Sequence, residues 1–419
     1  MEVIYPRCAG LDVHKQTVVA CVRIAGDGAP LQQVRTFATT TSELLALADW
    51  LDSFGVEQVA MEATGVYWKP VWHILESHFQ LVLANAAHVK NVPGRKTDVN
   101  DAMWLADLLA HGLIRASFVP PVAVQELRVL TRTRKQFVRE RSAHVQRIEK
   151  VLEDANLKLG VVLSDIMGQS GRAVLQALID GQDDPHHLAA LVSMRVKASR
   201  AEVLEALRGQ VHAHHRFMLK LHLDHIKALD QAVTTIEQEV GSALKPFRVA
   251  AKLLSTIPGL SAVSAHVVVA EIGVDMSRFA TAGHLLSWAC LCPRNDESAG
   301  KRRSTRLRRG GNWLKTTLVQ AAWAAIKVKG SYLQAQFQRL RARRGAKKAI
   351  IAVAASMLTA AWHMLRDGTE WNELGAAHFD HADARKTANR LIRRLQQIGY
   401  VVTATPACAK TFHPRADRG

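Results

Sequence analysis

Acid, cysteine and long apolar runs are what this 419-residue sequence has little of. Only five cysteines occur: Cys8, Cys21, Cys290, Cys292 and Cys408. An odd number without paired zinc-ligand spacing argues against a disulfide framework and against a zinc finger or ribbon. Reduced, buried thiols in a cytoplasmic protein are expected instead. No run of 18 or more apolar residues was found, which argues against a membrane span. The opening residues "MEVIYPRCAGLDVHK" carry no basic flank followed by an apolar core, so no secretory leader is expected. Acid is the deficit with most consequence. Thirty-seven Asp and Glu face 55 Lys and Arg, a formal charge of +18. A surface that positive attracts polyanions, and nucleic acid is the commonest large one.

What remains is an ordinary globular composition, 48% hydrophobic and 22% charged, long enough for two or three domains with substantial cores. Residues 1–118 alternate strand and helix signals. "CAGLDVHK" and "TVVACVRIAG" predict two strands joined by a turn at His14 to Gln16, and "LQQVRTFAT" predicts a third. A helix capped by Thr41 or Ser42 follows and ends at Gly55. "VEQVAMEAT" and "FQLVLAN" predict two more strands, each followed by a helix, and Gly112 can end the second helix, "DVNDAMWLADLLAHG". This order predicts an α/β domain with a mixed sheet: an antiparallel start, then crossover helices.

Strand signals vanish over 119–245. Val124, Leu127, Leu130, Phe137, Val145, Ile148 and Leu152 recur at helical spacing, long enough for a coiled coil or hairpin arm. Arg128, Arg132, Arg134, Lys135, Arg139, Arg141, Arg147 and Lys150 load its other faces. Such a run is commonly a solvated helix surface; the overall charge favours nucleic-acid contact, with Arg132, Arg134, Lys135 and Arg139 as contact candidates. The "HAHH" cluster at 212–215 has no carboxylate or cysteine at ligand spacing, so no metal is expected there. Residues 246–419 read as mainly helical, with a basic helix "ARKTANRLIRRLQQIGY" and a strand-like "VVTAT" in the tail.

Three constellations bear on chemistry. Asp12 interrupts one apolar strand and Glu62 ends another, where a charge is costly without compensation. Asp98 and Asp101 stand three apart in a predicted helix and share a face, although Asp98 also suits an N-cap. Four converging carboxylates need cations between them, and Mg²⁺ would neutralise them and serve phosphoryl transfer. Carboxylates on strands and on a helix, in a hairpin-led α/β domain, are the arrangement of ribonuclease H-like nucleases. In "LLSTIPGLSAVSAHVVVAEIG" two helices meet at a Pro-Gly turn, as in a helix-hairpin-helix element or in a plain connection. In "NDESAGKRRSTRLRRGG" Ser298 sits in a small-residue bend before Lys301, Arg302, Arg303, Arg306, Arg308 and Arg309. It reads either as a turn serine or as a nucleophile whose phosphate the guanidiniums hold. No histidine base is evident beside it.

"GLDVHK", "MEATGVYW" and "KTDVNDAMWLADLL" resemble the N-terminal DEDD domain of bacterial IS110-family insertion-sequence transposases, most like the IS1111 subgroup. "IPGLSAVSAHVVVAEIG", "LLSWACLCPRNDESAGKRRSTRLRRGGNWLKTTLVQAAW" and the tail helix resemble that family's C-terminal domain, in the same order. The resemblance implies a RuvC-like domain in which Asp12, Glu62, Asp98 and Asp101 bind Mg²⁺. It implies that Ser298 forms a covalent 5′-phosphoserine link to DNA. It further implies a bridge RNA that pairs with target and donor DNA, and a homo-oligomer, dimer or tetramer, in which one subunit's acids complete another's serine site. Under it the basic arm would serve RNA binding and subunit contact, in the bacterial cytoplasm at the nucleoid. One departure is Ser-Ala-Gly where many relatives read Ser-Gly. A Mg²⁺-dependent Holliday-junction nuclease using water, and a non-enzymatic nucleic-acid binder, are the competing readings. The nuclease would leave free ends and no protein adduct.

Overall fold

Two-residue alternation in the first forty residues builds an antiparallel meander of β1 (Arg7–Val13), β2 (Thr17–Ile24) and β3 (Leu31–Ala38). The computed structural model describes residues 2–403 apart from Asp27, Thr64, Asn91, 93–99, 294–295, 299, 305, 309, 311 and 382–383. Helix α1 (Thr41–Asp52) starts with Thr40 in the cap position, one residue before the expected cap. It leads to β4 (Gln58–Glu62), α2 (Trp68–Leu75), β5 (Gln80–Ala84), α3 (Ala86–Lys90) and α4 (Asp101–Ala110). The sheet order is β3-β2-β1-β4-β5, with β4 and β5 parallel to β1 and the first three strands antiparallel. This is the mixed sheet that the strand and helix order predicts.

Both faces of β1 are covered. Ala9, Leu11 and Val13 face a core that includes Phe37, Leu44, Leu47, Met61, Val71 and Leu75. Gly10 on the other face meets α4, and a sheet buried on both sides reads as a nearly unbroken apolar strand. Asp12 is the exception in that strand.

The chain divides into two compact units, Met1–Pro120 and Pro121–Gly419. The second begins with α5 (Val122–Asp154), a helix of 33 residues. It is followed by α6 (Leu159–Val162), α7 (Gln169–Ile179), α8 (Pro185–Ala190) and α9 (Arg200–Ala206), and then by α10 (Ala213–Ala243). Contacts between Arg134 and Glu237, Arg141 and Asp230, and Asp154 and His215 run in opposite chain directions, so α5 and α10 form an antiparallel hairpin. The expected hairpin arm is present. Its far end is a small helical core around Leu152, Val174, Leu178, Leu188 and Ile226.

Helices α11 (Arg248–Leu254), α12 (Ala262–Ile272) and α13 (Ala282–Trp288) precede a hairpin of β6 (Asp296–Ser298) and β7 (Lys301–Ser304). Then come α14 (Asn312–Ala325), α15 (Tyr332–Arg344), α16 (Ala346–Asp367), α17 (His378–His381) and α18 (Ala384–Gln397). The regions expected separately as 119–245 and 246–419 form one unit, because α5 bonds to α12 and α14 as well as to α10. Helix α16 is long and apolar enough to cross a membrane by composition, although no unbroken apolar run was evident in sequence. Half of its most apolar window is buried, and it packs on α13, α14 and α15 as a core helix does. The strand-like tail "VVTAT" forms no strand over its described residues 401–403.

Candidate active site

Asp12 and Glu62 reach the same end of the sheet through strand register. The parallel pairing of β1 with β4 runs from Cys8 opposite Gln58 to Leu11 opposite Met61, so Asp12 and Glu62 each follow the last paired residue of their strand. Side chains alternate along a strand, so Asp12 shares a face with Gly10 and Cys8, and Glu62 shares it with Ala60. That face carries α4. The Cys8 thiol donates to the Ala106 carbonyl at 3.4 Å. A Cβ on Gly10 would lie 2.3 Å from the Ala102 carbonyl oxygen and 2.4 Å from the Ala106 nitrogen. As β1 advances from Cys8 to Gly10, its contacts on α4 retreat from Ala106 towards Ala102. By this alternation Asp12 and Glu62 lie on one face and at one end of the sheet, and Asp101 opens the helix that packs on that face.

Helix α4 begins at Asp101, and its cap is Asn100, whose side chain accepts the Ala102 N–H at 2.9 Å. The cap role considered for Asp98 belongs to Asn100, and Asp98 lies outside the described residues. Asp101 is exposed in the first turn, where the helix dipole favours negative charge. Asp12 is mostly covered, with 18% of its side chain accessible, and His14 Nε2 lies 3.2 Å from its Oδ2. Sequence reasoning used His14 only as a turn residue; the signal for more was its place two residues past Asp12. On the same face, burial pushes the thiols up, Cys8 to about 12 and Cys21 to about 11, so both stay protonated and unreactive.

Ser298 is the last residue of β6, not part of an irregular bend. It pairs with Lys301 across a two-residue turn, with Glu297 opposite Arg302 and Asp296 opposite Ser304. Gly300 has φ +73°, a left-handed conformation that glycine adopts without a Cβ penalty. A Pro293–Leu307 bridge closes the base of the hairpin. β7 carries Lys301, Arg302 and Arg303, and the return passes Arg306 and Arg308 before α14. The Lys315 ammonium donates to the Arg308 and Gly310 carbonyls at 3.2 and 2.9 Å, tying that return to the first turn of α14. Arg309 lies outside the described residues.

Five of the cations expected on the arm, Arg128, Arg132, Arg134, Lys135 and Arg141, have internal hydrogen-bonding or ion-pair partners. Arg132 grips Glu271 with Nε and Nη2, both at 2.7 Å, and Arg128 donates to the Ala270 and Glu271 carbonyls at the end of α12. Burial lowers the Arg128 guanidinium to about 10, with Glu271 acting against that shift. Arg134 pairs with Glu237. The Lys135 ammonium donates to the Trp313 carbonyl and to the Thr316 and Thr317 hydroxyls at 3.2, 2.6 and 3.1 Å, which uses all three of its protons. Arg139 lies over the Trp313 ring at 5.2 Å. The Pro258–Gly259 turn between α11 and α12 packs against Ala321 and Ala325 of α14.

The "HAHH" cluster has a carboxylate after all, brought from far along the chain. Asp154 lies 3.0 Å from His215 Nε2 and 3.8 Å from His214 Nε2, and the three ligand atoms fall within 4.8 Å of one another. His215 Nδ1 accepts the His212 backbone N–H at 3.1 Å, so the ring proton sits on Nε2 and points at Asp154. That tautomer makes a hydrogen bond from the buried His215 to the exposed Asp154 rather than a ready metal ligand. The His215 hydrogen bond is also the main reason the Asp154 carboxyl is held below the usual carboxylate range.

Residues 9–157 match a DEDD transposase family model of the IS110 type, and residues 251–338 match the model of the transposase IS116/IS110/IS902 family. The chain is 25% identical over 321 residues to the transposase for insertion sequence element IS1111A of Coxiella burnetii, covering 75% of this chain and 79% of that one. It is 27% identical over 146 residues to an uncharacterized 43.6 kDa protein of insertion element IS110 from Streptomyces coelicolor. That second match covers 34% of this chain and about a third of the relative, 35%. The first family match spans nearly all of the acid-bearing sheet and the whole of α5, and the second spans the serine hairpin, in chain order; the chain belongs to the IS110 family of transposases.

Proposed function

We propose that this transposase excises and inserts its element by serine-mediated, metal-assisted cleavage and exchange of DNA strands. Supporting the reading, Asp12 and Glu62 each follow the last paired residue of two neighbouring parallel strands and Asp101 opens helix α4, in a chain that also has Ser298 at the end of a strand paired with a basic one. The sheet order β3-β2-β1-β4-β5, with β2 antiparallel, supports a ribonuclease H-like, RuvC-like assignment for the first unit.

The donor set fits a hard divalent cation, since every predicted ligand is a carboxylate oxygen. Asp12, Glu62, Asp101 and Asp98 would hold Mg²⁺. Bound there, the ion supplies charge neutralisation at the phosphate and at the leaving oxygen. Ser298 Oγ attacks phosphorus, forming the Ser–O–P bond as the P–O3′ bond breaks. The hydroxyl proton leaves with the freed 3′-oxygen, and the phosphodiester energy is conserved for rejoining. Lys301, Arg302, Arg303, Arg306, Arg308 and Arg309 hold the phosphate and offset its charge. The family resemblance adds a bridge RNA as guide and a homo-oligomer, dimer or tetramer, as the active species, acting in the cytoplasm.

Trapping decides between this reading and a hydrolytic nuclease. Wild-type protein with Mg²⁺ and a labelled element junction is expected to give a covalent protein–DNA adduct, and Ser298→Ala none. Asp12→Asn should lose cleavage in either case. Free 5′-phosphate ends formed by Ser298→Ala at the wild-type rate would refute the serine role and leave a nuclease that uses water.

A further inference from the structure

In the second unit, α5, α12, α14 and the end of α10 surround a cleft of about 740 Å³ that neither Ser298 nor the acids line. Its volume suits one or two nucleotide-sized groups and excludes a base-paired duplex. Two of its cations are already engaged, Arg134 with Glu237 and Lys135 with α14. Arg139 is different: among the described residues its guanidinium has no hydrogen-bond or ion-pair partner, and it stands over the face of Trp313. A guanidinium held on an aromatic ring is a pre-oriented fork for a phosphate. The amides of Gln146 and Gln320 line the cleft and have no hydrogen-bond partner among the described residues. The side chains of Val263 and Val267 supply an apolar wall beside them.

Gly241 is the second, independent observation. It lies in the last turn of α10, where glycine weakens a helix relative to alanine. It does not serve as the helix cap, because Leu244 holds that place and Gly241 has no positive φ. A Cβ at Gly241 would meet nothing within 4 Å, so no close approach demands it either. What the missing side chain does is leave the cleft wall open.

We propose that this cleft receives one unpaired nucleotide of a nucleic-acid strand, with its phosphate on Arg139 and its base between the valine wall and the Gln146 and Gln320 amides. Amides hydrogen-bond base edges, and an apolar wall covers a base face of any sequence. His266 also faces the cleft; burial and the nearby Arg134 keep its ring neutral, able to donate and to accept. The inference rests on the transposase reading for the presence of single strands, which either opened element DNA or a guide RNA could supply. The cleft chemistry is shared by both.

The test uses the full-length protein in EDTA, so that no cleavage contributes, and reads binding by fluorescence anisotropy. The probes are a labelled DNA single strand, the same sequence as RNA, and the DNA duplex. Gly241→Trp fills the cleft, Gly241→Ala controls for the backbone, and Arg139→Gln removes the phosphate contact from an exposed position. Gly241→Trp and Arg139→Gln are each expected to weaken the same single strand about tenfold, the effect of losing one base or phosphate contact, with duplex binding unchanged. The strand that weakens, DNA or RNA, identifies the source. Binding of both single strands within about twofold of wild type by both variants would overturn the proposal. So would an equal loss on the duplex. A failure of Ser298 to form an adduct would leave this measurement untouched, since no cleavage is scored.

Discussion

Glu271 illustrates how one carboxylate organises a helix end. It lies in the last turn of α12, where the helix dipole opposes a negative charge, and only 3% of its side chain is accessible. Arg132 meets it with two hydrogen bonds, and Arg128 satisfies the terminal carbonyls of the same helix. Removing one member of a buried ion pair leaves the others uncompensated, at a cost of about 3–5 kcal/mol. Glu271→Gln is therefore expected to lower the denaturation midpoint of the second unit clearly, as read by circular dichroism in urea. Glu153→Gln, on an exposed residue of α5, should move it little. Equal midpoints for the two variants would mean that Glu271 is not the anchor described.

At the level of elements, α4 and β1 are the pair on which the proposed acid site depends. Their approach is close enough that only glycine fits at position 10, since the atoms a Cβ would strike belong to the α4 backbone. Backbone cannot rotate away as a side chain can. Gly10→Ala is expected to push α4 outward, costing about 1–3 kcal/mol by overpacking and displacing Asp101 relative to Asp12. A thermal melt reads the first effect, and Mg²⁺-dependent cleavage of an element junction reads the second. Gly28→Ala, where nothing lies within 4 Å, is the matched control. Full cleavage by Gly10→Ala would show that the spacing of β1 and α4 does not set the acid site.

At the level of the whole molecule, charge is the governing property. The 55 basic residues overstate what a polyanion meets, because Arg128, Arg132, Arg134 and Arg141 face carboxylates within the fold; the net +18 already counts those carboxylates. The remaining basic residues still act together, and each phosphate neutralised releases counterions. DNA affinity is expected to fall linearly on a log–log plot against salt, by about a thousandfold from about 50 to about 200 mM with six phosphate contacts. Affinity that stays level over that range would separate the excess charge from DNA binding.

The sequence by itself determined the strand and helix order of the first unit, because alternation and turn residues are local properties. It also marked Asp12, since a charge in an apolar strand stands out without any coordinates. The helical periodicity of 121–152 foretold an arm, and the basic stretch after Ser298 was plain to read. Partners distant in the chain were not legible. Nothing local to Arg132 points to Glu271, and nothing near "HAHH" points to Asp154, 61 residues away from His215. The same holds for Gly241, which reads as an ordinary helix-end glycine until α5, α12 and α14 are arranged around it. Periodicity records which side of an element is apolar. Only the tertiary structure decided which cations are held by internal carboxylates and which, like Arg139, have no such partner, because pairing depends on packing between elements far apart in sequence.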